Sequence, residues 1–113
     1  MLCDLLIDCV VRCDSLVKIH GRYCGPNWTA GKKIAAEDAT QKDFQVRSID
    51  LLDGGCKIHD MDINRDGPSR ESDLRLARVA QKVLDDSKSS KKLKQKARIV
   101  RDGMLAISLI RLK

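Results

Sequence analysis

Cys56-Lys57-Ile58-His59-Asp60 brings together, within five residues, a sulfur able to form a disulfide, a base that works near neutral pH and a carboxylate suited to a metal ion. Directly before it stands Asp50-Leu51-Leu52-Asp53-Gly54-Gly55. Ser48 or Asp50 is a good N-cap, so the spacing predicts a helix from there to about Asn64, with Leu52, Cys56, His59 and Ile63 on one stripe. Arg65-Asp66-Gly67-Pro68 ends it. Ser69, followed by Glu71 and Asp73, opens another helix to about Leu84, whose Asp73, Ala77, Ala80 and Leu84 share a face. His59 and Asp73 each lie seven residues from Asp66. In an antiparallel hairpin they sit at one height, roughly 10 Å from the turn at 1.5 Å per residue. Asp73 then either orients the His59 imidazole or complements its own helix N-terminus, and the spacing alone leaves both open.

Working outward, Leu2, Leu5, Leu6, Cys9, Cys13, Leu16 and Val17 recur at helical spacing and predict an N-terminal amphipathic helix over 2–18. Tyr23-Cys24-Gly25-Pro26-Asn27-Trp28 opens a loop reaching Gly31, and 32–47 lacks a periodic pattern, so it reads as mostly loop. A last helix over about 91–112 is basic at first and apolar later, with Lys88, Lys91, Lys92, Lys94, Lys96, Arg98 and Arg101 as the basic block. His20, at a helix end near the loop, reads as exposed or capping.

A chain of 113 residues makes one domain, 1–113, with a thin core, and its aromatics are only Tyr23, Trp28 and Phe44. Burial therefore rests on Leu, Ile, Val and Ala, as in small packed helices. Five cysteines spaced C-x5-C-x3-C-x10-C-x31-C contain no C-x2-C pair, which argues against zinc and leaves at least one thiol outside intrachain pairs. The formal charge of +6 favours an anionic partner, a phospholipid surface or a nucleic acid. The basic block contains no aromatic on which bases could stack, so nucleic acid ranks last. Met1–Val11 is apolar but carries Asp4 and Asp8, so no secretory signal is visible, and no run approaches the ~20 residues needed to cross a bilayer.

Tyr23-Cys24-Gly25 and the Asp50–Asp60 stretch together resemble the calcium loop and active-site helix of the secreted phospholipase A2 superfamily, roughly Y-C-G-x-G and then D-x-L-D-x-C-C-x-x-H-D. The match spans Tyr23–Asp60, about a third of the chain. The Y-C-G-x-x-aromatic loop is similar to plant members, and the short His-to-Asp spacing and few cysteines look closer to the compact domains of parvovirus-type capsid proteins than to venom enzymes. The resemblance implies a mostly α fold: two antiparallel active-site helices, an N-terminal amphipathic and a C-terminal basic helix, and a calcium loop tied down by a Cys24–Cys56 disulfide. It further implies Ca²⁺ as cofactor, held by the carbonyls of Tyr23, Gly25 and Asn27 with the Asp60 carboxylate. His59 becomes the base, Asp73 its partner, and the Gly25 amide a donor to the oxyanion. Leu2, Leu5, Leu6 and Trp28 become the interfacial rim, at a phospholipid surface in a secreted or extracytoplasmic setting, or in a virion protein.

Three departures accompany the match. Asn27 replaces the second loop glycine, Gly55 replaces one cysteine of the C-C pair, and Ile63 replaces the tyrosine that would hydrogen-bond the Asp73 position. The expected activity is Ca²⁺-dependent hydrolysis of the sn-2 ester of glycerophospholipids. One alternative is a catalytically weak module of this type that binds membranes or a partner. The other is an EF-hand-like module: Asp62-x-Asn64-x-Asp66-Gly67-x5-Asp73 fits such a loop, with Asp as its final ligand.

Overall fold

A computed structural model describes residues 18–111. The three helices among these residues each begin at a side-chain cap. Asp50 accepts from the Asp53 amide at the head of α1 (Leu51–Asp66), Ser69 from the Ser72 amide at α2 (Arg70–Asp85), and Ser90 from the Leu93 amide at α3 (Lys91–Ile110). Each cap satisfies an amide that the helix itself cannot. Gly67, at φ +83, closes α1, and its amide bonds the Ile63 carbonyl. The helix thus runs two residues past the expected Asn64. The expected N-terminal helix over 2–18, with Leu2, Leu5 and Leu6, lies outside the described residues but for Lys18, which is not helical.

Contacts between α1 and α2 pair Asp62 with Ser72, His59 with Asp73 and Gly55 with Val79. Every pair is centred on residues 66–67, which makes an antiparallel hairpin. At Gly55 the helices pack tightly: a Cβ there would stand 2.8 Å from Val79 Cγ1. The position where the family resemblance expected a second cysteine is therefore one where a side chain has no room. Arg101 bonds Gln81, and Arg111 bonds Asp73, so α3 runs back along α2 and delivers its C-terminus to the first turn of α2. Leu52, Leu76, Ala80, Val83, Ala97 and Val100 fill the space between the helices. Small residues on α2 and α3 permit that close packing.

Residues 18–50 run along α1 from its N-cap to its last turn without forming a strand. They contain two 3-10 turns, Ala36–Asp38 and Asp43–Gln45, within the stretch read from sequence as mostly loop. Tyr23 is buried against Phe44, ring centroids 6.3 Å apart, and its hydroxyl donates to the Val46 carbonyl. Asn64 Nδ2 donates to the carbonyls of Ala36 and Ala39 and fastens this segment to α1.

Candidate active site

Two constraints hold Tyr23 and Cys24 of the Tyr23–Asn27 loop directly to α1. The first is a Cys24–Cys56 disulfide, with Cα atoms 5.1 Å apart, in agreement with the sequence expectation. The second is Asp53, which is fully buried and accepts the amides of Arg22 and Tyr23 from the loop and of Ile49 from its own approach to the helix, at 2.8–3.1 Å. Gly21, at φ +63, is needed for that clasp, because a Cβ there would lie 2.4 Å from the Asp53 carboxyl carbon. Asp53 has no such role in the sequence reading. In the first turn of a helix it looks like an ordinary dipole complement, and its partners lie some thirty residues upstream.

His59 is buried on the α2-facing side of α1, and its Nε2 stands 2.8 Å from Asp73 Oδ1. A carboxylate can only accept, so Nε2 is the donor and carries a proton, and Nδ1 is the ring nitrogen not engaged with Asp73. Of the two readings that the hairpin spacing left open for Asp73, this contact is the one the structure contains. The other oxygen, Asp73 Oδ2, accepts from Arg111 Nε at 2.5 Å, and Asp73 has no solvent exposure. Arg111 thus stands where Ile63 supplies no donor. Nothing in the sequence pointed to it, because the register of α3 is set by packing rather than by any local pattern.

Asp60, the next residue along α1, points to the loop instead. Its carboxylate is buried, and among the described residues its hydrogen-bond partner is the Thr29 hydroxyl at 3.5 Å. Burial, joined by the negative charges of Asp53 and Glu37, pushes its carboxyl up to about 8. An acid so deprived of water and of positive charge is a strong attractor for a cation. Tyr23, Gly25, Asn27 and Asp60 line one cavity, and no backbone amide of the described residues donates to the carbonyls of Tyr23, Gly25 or Asn27. Asn27 adopts φ +52, a conformation that asparagine tolerates well. Among the described residues no three His, Cys, Asp or Glu side chains gather as a metal cluster. One carboxylate with uncommitted loop carbonyls nonetheless suits an oxygen-seeking, flexible ion such as Ca²⁺.

The cavity measures about 420 Å³. Its lining is mostly apolar, with Ile19, Leu76, Ile99, Val100, Met104 and Ile107, and His59, Asp60 and Arg111 are among its polar members. Ile19, Pro26 and Ile99 also belong to an open groove outside the mouth, where Lys18, Lys92 and Lys96 add three positive charges. Arg101 of the basic block bonds Asp102 and Gln81 instead. Trp28, expected at the rim, is half-buried and donates its indole N–H to the Gly21 carbonyl, bracing the loop from inside.

Two expectations need correction. His20 is buried rather than exposed, and its Nε2 bonds Asp50 Oδ2 at 2.7 Å, locking the start of the loop to the head of α1. The EF-hand-like stretch does not form a loop, since Asp62, Asn64 and Asp66 are helical. Their side chains are also committed: Asp62 to Arg65, Ser72 and Arg75, Asn64 to the Ala36 and Ala39 carbonyls, and Asp66 to Arg65. Asp73, its would-be last ligand, is bonded to His59 and Arg111. In comparison with known proteins, no family model, no curated sequence and no solved structure matched the chain.

Proposed function

We propose that the protein is a Ca²⁺-dependent lipolytic enzyme that hydrolyses the sn-2 acyl ester of glycerophospholipids at a membrane surface, with a phospholipase A2-like fold. The observation that carries this reading is the buried His59–Asp73 pair at 2.8 Å opening onto an apolar cavity beside Asp60 and the carbonyl-bearing loop. The apolar lining accommodates an acyl chain. His59 Nδ1 takes a proton from a water molecule, the resulting hydroxide attacks the ester carbonyl, and the imidazolium returns the proton to the departing glycerol oxygen. Asp73 fixes the tautomer and stabilises the imidazolium.

Ca²⁺, when bound by Asp60 and the carbonyls of Tyr23, Gly25 and Asn27, supplies positive charge for the lipid phosphate and the ester oxygen. The Gly25 amide is the chain's own donor to the developing oxyanion. Lys18, Lys92 and Lys96 beside the mouth favour an anionic interface, each cation contributing about 1 kcal/mol when close to such a membrane. The disulfide agrees with an oxidising, extracytoplasmic setting. Fatty-acid release from vesicles of phosphatidylcholine and phosphatidylglycerol tests the reading. Release should require Ca²⁺, stop with chelator and be poorly restored by Mg²⁺. Equal rates in excess chelator would remove the metal from the mechanism, and no release at all would leave a binding module.

A further inference from the structure

Arg111 is the residue that completes the site, and nothing in its sequence surroundings marks it. It caps α3, its backbone N–H bonded to the Ile107 carbonyl, and it sits one residue past the last helical position. The antiparallel return of α3 along α2, seen also in the Arg101–Gln81 bond, brings its guanidinium to Asp73 at the opposite end of the chain's helical half. Asp73 is then held at both oxygens, Oδ1 by the imidazole at 2.8 Å and Oδ2 by Arg111 Nε at 2.5 Å. A carboxylate held at one oxygen alone still swings about its terminal torsion, which is broad and roughly two-fold. A second donor on the other oxygen fixes the plane. Arg111 also brings a positive charge to a carboxylate buried without any exposure, whose other side-chain partner among the described residues is the His59 imidazole.

We infer that Arg111 is a positioning residue of the proposed esterase, acting through Asp73 to hold the His59 imidazole in the one orientation that presents Nδ1 to the cavity. This rests on the hydrolytic reading above. A third of the Arg111 side chain remains in solvent at the end of the last helix, so replacing it opens no cavity among the buried apolar side chains.

The test is a double-mutant cycle on phosphatidylcholine–phosphatidylglycerol vesicles in saturating Ca²⁺, comparing wild type, Arg111→Gln, Asp73→Asn and the double variant. Arg111→Gln should lower kcat roughly 10–100-fold, as loss of an orienting outer partner commonly does. KM should stay within about twofold, because the guanidinium, although it borders the cavity, is committed to Asp73. In the Asp73→Asn background the same change should alter the rate by less than about twofold, since a residue acting only through Asp73 has nothing left to act on. A raised KM at unchanged kcat would overturn the inference and make Arg111 a substrate contact. An equal loss in both backgrounds would overturn it too. Should Arg111→Gln not fold, Arg111→Lys in the same two backgrounds decides, with a smaller kcat loss that again vanishes beside Asp73→Asn. If the wild type releases no fatty acid, the hydrolytic reading fails by itself. The inference then rests on proton NMR of the His59 Nε2–H, expected to be protected from exchange in wild type and not in Arg111→Gln; equal protection in both overturns it.

Discussion

At the scale of single residues, Asp60 carries the sharpest consequence. Its carboxyl is pushed up to about 8, chiefly by burial, from an ordinary value of 3.8. The stability this group contributes is therefore full below about pH 3.8 and is lost as pH rises through about 8, because the folded state must ionise a buried acid. In chelator the wild type should lose stability relative to Asp60→Asn by about 1.4 kcal/mol per pH unit across that window. Added Ca²⁺ should restore the wild type at pH 8 and leave Asp60→Asn unmoved. Thermal melts at pH 5 and pH 8, with and without Ca²⁺, check this; parallel melting of the two proteins in chelator would show that Asp60 is not the strained group. The His59–Asp73 contact was legible as one of the two readings that the hairpin spacing allowed, whereas the place of Asp60 beside the loop came from the family resemblance. Asp53, His20 and Arg111 were not legible, since each finds its partner across at least thirty residues.

At the scale of elements, the α1–α2 hairpin positions the dyad, and its tight packing depends on one glycine. Gly54 and Gly55 are neighbours with opposite surroundings: a Cβ on Gly54 meets only Ser48 Oγ at 3.4 Å, an ordinary contact, whereas one on Gly55 meets Val79 Cγ1 at 2.8 Å. Gly54→Ala should raise stability by up to about 1 kcal/mol through helix propensity. Gly55→Ala gains the same propensity but overpacks the interface, at about 1–3 kcal/mol, and by displacing α2 should also slow hydrolysis. Denaturant unfolding of both variants measures the contrast, and equal effects would mean that the interface yields freely. The hairpin itself was readable from Asp66, Gly67, Pro68 and the Ser69 cap. The same Asp62–Asp73 stretch invited the EF-hand alternative, because a ligand pattern and a capped helix turn use the same residue types. Helical hydrogen bonding won, and the carboxylates found arginine, serine and histidine partners instead.

For the whole molecule, a short helical bundle carries a long irregular segment, and the Cys24–Cys56 bond ties the two together. Closing a loop with a sequence separation of 32 should stabilise the domain by roughly 2–4 kcal/mol. A Cys24→Ser/Cys56→Ser double variant should melt about 10–20 °C lower and bind Ca²⁺ more weakly, since the loop would be held by Asp53 and His20 alone. An unchanged melting temperature would show that those polar clasps suffice. The overall helical architecture was legible from periodicity and caps, whereas the return of α3 to the site was not, because that path is set by how small residues on α2 and α3 pack. Everything proposed for the function passes through one imidazole, so the most direct measurement is fatty-acid release by His59→Gln from anionic mixed vesicles, with Ca²⁺ binding followed by calorimetry on the same samples. The variant should bind Ca²⁺ as the wild type does and release fatty acid at least about a thousandfold more slowly, the scale of loss expected when the base of a catalytic pair is removed. Release at a rate comparable to wild type would contradict the account and place the base elsewhere.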